Sequence, residues 1–393
     1  MSFLNAFKKQ FFTTLKDRDV IVLLLAAPII LILWFGGVYY QSYVDDIPIA
    51  VLDEDQSSLS RMIIQQFSEN DRFKITHYPV SKEELQQMIN AKKVHMGLYL
   101  PHNFSKDVQN LQSSKALIIV DGTNIVVGNN AYAAAAAIIQ TVSASVQMKT
   151  LQGKGMLPQI SESMVLPFQF TDRTLYDPRM TYKNYLLFGY IAVFLQQIII
   201  SGVGISIVKD EESMKSNILQ SVTVKILSAA VFALLSTSAA IMIVNTLFKV
   251  PIRGNLFEAL LLCMIFILAV SGPAIILAAV TKDKIKLAHL SFMLSLPTFV
   301  SSGYIWPLDQ MPEMLVKIIK SIWPLINFAR PFDEMLIKGF PIEALGQNIK
   351  EMLLYTAFWL PISLWLLKRN YCEVGISKPE KENNNLKDCI ELS

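Results

Sequence analysis

The run Val20–Tyr40 contains no charged side chain. About 20 consecutive apolar residues are needed to cross the hydrocarbon core of a bilayer, so this run confines the chain to a membrane or to an unusually apolar interior. It is preceded by Lys8, Lys9, Lys16 and Arg18, as a secretory leader would be. A leader's apolar core, however, is only about 7–15 residues long and ends in small residues. Here Trp34, Tyr39 and Tyr40 occupy that place, so the run reads as an uncleaved first span.

Five further uncharged runs follow: Tyr185–Val208, Ile226–Phe248, Ala259–Val280, Leu287–Ile305 and Met352–Leu367. The last is short, with Lys350 and Lys368 placed to snorkel at its ends. The predicted fold class is therefore an α-helical polytopic membrane protein with six transmembrane helices. Kinks are expected at Pro28, Pro273, Pro297 and Pro361, which lie within the spans. Only 17% of the 393 residues are charged, against roughly 25% in an average soluble protein. The deficit is concentrated in these runs. With the N-terminus in the cytoplasm, the short inside turns hold the denser basic clusters, such as Lys282, Lys284 and Lys286, and both termini fall inside.

Between the first two spans, residues 41–183 read as an inserted α/β domain, extracytoplasmic in this topology. Ile47–Leu52, Phe73–Tyr78, Val94–Leu100 and Ala116–Val120 read as strands. Leu59, Ile63 and Phe67 recur on one helical face, Ser81–Glu84 resembles a capping box, and a long helix is expected from Ile125 to Gln152. Residues 304–350 are too charged and proline-rich to cross, and read as short amphipathic or re-entrant helices on the outer side. Leu315, Ile318, Ile319 and Ile322 form one stripe there.

Several functions are disfavoured. The net charge of +3 gives no electrostatic footprint for nucleic acid. Cys263 lies in an apolar run while Cys372 and Cys389 are near the C-terminus, so no disulfide framework serves the inserted domain. The four histidines show no metal-ligand spacing, and no phosphate-binding loop or nucleophile elbow occurs. Asp53, Glu54 and Asp55 form an acidic cluster, but the following Gln-Ser-Ser reads as a strand-to-helix turn rather than a cation site. No catalytic set, cofactor site or metal site is expected.

Two constellations remain. The turn after the second span begins Lys209-Asp-Glu-Glu, with Met214, Ile218 and Val222 at helical spacing. Asp210, Glu211 and Glu212 suit a helix N-terminus but not an anionic leaflet, which favours docking of a partner there. Within the spans, Gln196, Gln197, Ser236, Thr237 and Asn245 could line a translocation path or bond neighbouring helices. None is ionisable, which argues against an ion-driven transporter.

Taken together, the motifs resemble the ABC-2 type permeases, in the branch with a large external domain after the first span. Ile47–Ser60, Gly97–Ser105 and Val120–Asn124 are similar to that domain's strands and turns, and Leu175–Arg179 to its return segment. Ser302-Gly303, Pro307, Met311-Pro312, Pro324 and Lys338-Gly339 resemble the signature around the fifth span. The resemblance implies an interface helix at 1–19, spans 2–5 within 184–303, a sixth span at 351–368 and a cytoplasmic tail at 369–393. It also implies a coupling helix near 209–222 that receives a dimer of ABC ATPase subunits. The chain departs from the pattern in having Ser213-Met214 where the family has Gly-Thr.

On this resemblance the chain is a permease subunit in a bacterial inner membrane, paired with an identical or homologous permease. ATP is used by the partner subunit, a periplasmic adaptor is a further expected partner, and the exported substrate is amphipathic or hydrophobic. The alternative is a membrane sensor or envelope scaffold whose external domain binds a partner.

Overall fold

A computed structural model describes residues 2–41, 44–110, 112, 114–165, 173–178, 180–210 and 217–376, with the side chains of 371–376 left aside. The chain divides into two units, Met1–Tyr40 with Thr174–Ser393, and Gln41–Arg173.

The first unit opens with α1 (Phe3–Lys16). Asp17 leaves helical geometry and caps the next helix, accepting a hydrogen bond from the Val20 amide at 3.4 Å. That helix, α2 (Arg18–Val38), contains a π-helical turn at Val22–Ala26 just ahead of Pro28. Proline has no amide hydrogen and crowds the carbonyl four residues before it. A widened turn at that point relieves the crowding.

The second unit is a four-stranded sheet in the order β2-β1-β3-β4, formed by Ile47–Asp53 (β1), Phe73–His77 (β2), Met96–Leu100 (β3) and Leu117–Val120 (β4). β4 is antiparallel and the other pairings are parallel. β1 and β3 are central, and Ile49, Val51, Met96, Leu98 and Leu100 are almost fully buried. α3 (Ser58–Ser68) presents Leu59, Ile63 and Phe67 to the sheet, the face that its spacing predicts. Its cap is Ser57, whose Oγ accepts from the Leu59 and Ser60 amides. Asp53 organises the turn by accepting from the Asp55 and Gln56 amides and the Ser60 hydroxyl. The acidic cluster therefore has an internal structural task.

α4 (Lys82–Asn90) covers the opposite face with Leu85 and Ile89. Ser81 accepts from the Glu84 amide, and the Glu84 carboxylate accepts from the Val80 amide, one residue before the expected capping-box donor. α5 (Phe104–Gln109) and α7 (Pro158–Val165) carry too few turns for the sequence periodicity to register them. Between them α6 (Ile125–Gly153) packs Gly128, Ala131, Ala135 and Val142 inward.

Returning to the first unit, α8 (Tyr182–Lys209), α9 (Ile218–Thr246), α10 (Leu256–Thr281) and α11 (Lys284–Val300) form a bundle with α14 (Gly346–Ile376). α8 is its hub: it packs against α2, α9, α10 and α11, and its middle is closed to solvent on all sides. Between α11 and α14 lie α12 (Glu313–Ile322) and α13 (Ala329–Asp333), the latter running on into a π-helical turn at Glu334–Lys338. Leu325, Phe328, Ala329, Phe332, Met335 and Leu336 are wholly buried in the bundle core, whereas Leu315, Ile318 and Ile322 of α12 are exposed.

Among the described residues five helices are long and apolar enough to cross a membrane: α2, α6, α8, α9 and α10. α6 belongs to the α/β unit and spends one face on its sheet. α11 ends at Val300, short of the expected Ile305, because Ser301-Ser302 turn back onto Pro297 and Phe299 and Gly303 takes a φ of +82°. α14 is far longer than the expected Met352–Leu367. The protein is thus mainly helical, with several apolar helices and a small α/β unit. Pro273, Pro297 and Pro361 lie within continuous helices.

Candidate functional site

Helices α1, α8 and α9 meet at a polar cavity of about 410 Å³. Lys225 lines it, with a side chain only 1% exposed. On α9, Val222, Lys225 and Ala229 share one face by their three- and four-residue spacing, and all three are buried. A buried ammonium needs acceptors. Lys225 Nζ donates to Asp210 Oδ2 at 2.8 Å and to Gln10 Oε1 at 3.2 Å. Gln10 is oriented by its own amide, whose Nε2 donates to Thr14 Oγ1 at 3.2 Å. Next to this pair, the Lys209 ammonium donates to the Asp17 carboxylate. Partial burial acts to raise the Asp17 carboxyl, but the Lys209 hydrogen bond and charge, with the Val20 and Asp19 amides, hold it below the usual carboxylate range. Phe11 of α1 stacks on Phe232 of α9 with centroids 5.0 Å apart, so the same helices are also held by apolar contact.

Of the residues predicted to couple to a partner, Asp210 is in this cluster, and Glu211, Glu212 and Met214 lie outside the described residues. Ile218 and Val222 are in the first turns of α9, which begins eight residues ahead of the expected span and is capped by Asn217. Val222 is 2% exposed and Ile218 packs against the bundle core, so the apolar stripe is used internally from Ile218 onward.

The predicted path residues separate in the structure. Gln196 is fully buried: its Oε1 accepts from the Trp323 indole at 2.6 Å and its Nε2 donates to Thr298 Oγ1 at 3.1 Å. Gln197 Nε2 donates to Ser291 Oγ at 2.7 Å. Both therefore bond α8 to α11, and Gln196 also ties in the segment after α12. Ser236 and Thr237 are buried on α9, and Ser236 Oγ, like Ser201 Oγ and Ser228 Oγ, has no hydrogen-bond partner among the described residues. Asn245 is exposed and donates to the Val250 carbonyl at 3.0 Å, closing the turn after α9.

A second polar cluster surrounds a cavity of about 270 Å³ at the other end of α8. The Tyr304 hydroxyl bonds to the Tyr185 carbonyl and lies 3.2 Å from Asp333 Oδ1. Burial, reinforced by the neighbouring Glu334, pushes the Asp333 carboxyl up to about 7, although the Tyr304 hydrogen bond, Lys338 and Arg330 oppose it. Glu334 itself pairs with Lys338 at 2.8 Å and Arg330 at 3.5 Å. Arg253 donates to the Ile337 carbonyl at 2.8 Å, and the Arg253 and Gly254 amides donate to Leu336, pinning the buried segment to the start of α10.

Sequence reasoning missed Lys225, Trp323 and Asp333. The helical register of Lys225 on an apolar face was a readable signal. The partners of Trp323 and Asp333 lie too far away along the chain to be inferred. No group of acidic, histidine or cysteine side chains able to hold a metal occurs among the described residues.

Comparison with known proteins agrees with a polytopic bundle of this kind. The chain is similar to the "Probable multidrug ABC transporter permease YbhR" of Escherichia coli strain K12, 22% identical over 79% of this chain and 83% of that protein. The corresponding protein of Escherichia coli O157:H7 matches equally. It is also 29% identical to "ABC transporter G family member 20" of Dictyostelium discoideum, over 36% of this chain and 18% of that protein. The profile described as "ABC-2 family transporter protein" matches residues 18–365, nearly the whole length, and this chain belongs to that family.

Proposed function

We propose that this permease is the membrane half of an ATP-driven exporter for amphipathic or hydrophobic molecules, working as a dimer with an identical or homologous permease. ATP hydrolysis resides on a separate subunit, as is usual for the family. The observation that carries the reading is the profile match across residues 18–365 of a chain with several membrane-length apolar helices. An amphipathic cargo is supported by buried polar groups of the bundle that, Lys225 near the start of α9 apart, are hydroxyls and amides, and by similarity to a protein named as a probable multidrug permease.

In this reading six helices cross the membrane: α2, α8, α9, α10, α11 and α14. α11 has 17 residues, so it reaches only ~26 Å of the ~30 Å hydrocarbon core. It packs against α8. Both termini are cytoplasmic, α1 is the interface helix, and the α/β unit is extracytoplasmic, where an adaptor protein could engage it. The segment from Asp210 through Glu211 and Glu212 to Asn217 receives the ATPase stroke.

Mild-detergent purification of the tagged chain from its host tests this reading. A stoichiometric ATP-binding subunit, with ATPase activity in the purified complex, is expected. Recovery of the intact chain alone, or with envelope proteins only, refutes it.

A further inference from the structure

The polar cluster at the Tyr185 end of α8 is a closed set of contacts between three elements. The Tyr185 hydroxyl, in the first turn of α8, donates to the Tyr304 carbonyl at 2.6 Å, and the Tyr304 hydroxyl returns a bond to the Tyr185 carbonyl. The two rings stack with centroids 5.6 Å apart. The Tyr304 ring lies on the backbone of Gly189, where a Cβ would come within 2.3 Å of it. Gly303, with its φ of +82°, makes the turn that delivers this ring. Asp333, at the end of α13, adds the third element through its Oδ1, 3.2 Å from the same Tyr304 hydroxyl. All three residues line the cavity of about 270 Å³.

The proton count at the Tyr304 hydroxyl is decisive. Its oxygen is in bonding range of two others, the Tyr185 carbonyl and Asp333 Oδ1, but a phenol carries one proton. With Asp333 ionised, one of the two contacts sets lone pair against lone pair. With Asp333 protonated, its O–H donates to the Tyr304 oxygen, the Tyr304 O–H donates to the Tyr185 carbonyl, and both contacts are made. The charges around them have their own partners: Glu334 pairs with Lys338 and Arg330, and Arg253 donates to the Ile337 and Tyr176 carbonyls. Burial, reinforced by Glu334, pushes the Asp333 carboxyl up to about 7, against the pull of Tyr304, Lys338 and Arg330. We propose that Asp333, Tyr304 and Tyr185 form a proton-binding latch, which ties α8, the turn after α11 and α13 together when Asp333 is protonated and releases them when it ionises. Resting on the exporter reading, this end of the bundle faces outward, and proton binding there slows release of the cargo.

The experiment uses the full-length chain in lipid nanodiscs, titrated from about pH 5 to about pH 9. Infrared difference spectra follow the carbonyl stretch of a protonated carboxyl. Hydrogen exchange, corrected for its intrinsic pH dependence, follows the amides of residues 301–305 and of the first turn of α8. In the parent, a carboxyl band that D333N lacks is expected to vanish as pH rises, and protection to fall at least tenfold over the same range. D333N, whose amide donates to Tyr304 as the protonated acid does, should stay protected throughout, and Y304F should be unprotected throughout. Parent protection that does not change with pH overturns the latch. So does a fall that D333N shares, a Y304F as protected as the parent in acid, or the absence of a band distinguishing the parent from D333N. In the complex with its ATPase, D333N should export an amphipathic dye at least threefold more slowly than the parent at about pH 8; equal rates overturn the part of the latch in release. A parent complex that moves no dye with ATP overturns the exporter reading, while the infrared and exchange results still decide the latch.

Discussion

Gln196→Leu probes the polar contact at the centre of the bundle. The substitution puts an apolar side chain of similar size in place of the amide and removes two hydrogen bonds, from the Trp323 indole at 2.6 Å and to Thr298 at 3.1 Å. The Thr298 hydroxyl still donates to the Leu294 carbonyl at 2.8 Å, so it loses little. The cost therefore falls on the indole N–H. A buried donor left without an acceptor costs about 1–3 kcal/mol in a soluble protein, but coupling between side chains in membrane proteins averages about 0.6 and reaches about 1.7 kcal/mol. Trp323 is half-buried and can recover part of the loss from water, which places Gln196→Leu at about 1–2 kcal/mol. Trp323→Phe leaves the fully buried Gln196 oxygen unpaired and should cost about 2–3 kcal/mol. In the double variant neither group is orphaned, so its cost should fall about 1 kcal/mol below the sum. Unfolding of the detergent-solubilised protein, followed by tryptophan fluorescence, measures all three. Costs that add within about 0.3 kcal/mol refute the network and return Gln196 to the candidate path residues.

Other expectations follow from the same structure. The raised Asp333 carboxyl binds its proton more tightly in the folded state than in the unfolded chain, so the protein should lose stability as pH rises from about 4 to about 7; Asp333→Asn should flatten that slope in melting curves. A Cβ on Gly254 would lie 2.0 Å from the Met335 carbonyl oxygen, so Gly254→Ala should cost about 1–3 kcal/mol, read as a lower melting temperature. Phe67 is fully buried against Phe73 in the α/β unit, and Phe67→Ala should cost about 3–5 kcal/mol and speed proteolysis within residues 41–173. Deleting 210–217 should abolish substrate-stimulated ATPase activity while leaving membrane insertion intact, as membrane fractionation would show.

The sequence was most legible where the physics is local. All four strands of the α/β unit are within a residue or two of their expected ends, and α3 buries Leu59, Ile63 and Phe67 as their spacing requires. α5 and α7 were missed because six to eight residues hold too little periodicity. In the bundle, apolar runs located the helices but not their ends: Asn217 starts α9 early, and the turn at Ser301–Gly303 stops α11 early. The polar residues were the hardest. A glutamine in a span looks the same whether it faces a path or a partner helix, and the partner that decides the matter for Gln196 is Trp323, 127 residues away. Lys225 directly precedes the apolar run Ile226–Phe248, where a flanking charge is unremarkable, although its register with Val222 and Ala229 puts it on the packed face.

The central claim is ATP-driven export through this chain, and transport by the purified complex in proteoliposomes tests it most directly. The probe is a fluorescent amphipathic amine, presented at the side of the membrane that carries the ATPase. The account predicts that ATP moves the dye across the membrane, and that movement stops when the ATPase subunit is omitted or the 210–217 segment is deleted. Dye movement that is the same with and without ATP, in vesicles shown to hold the intact complex, would contradict it.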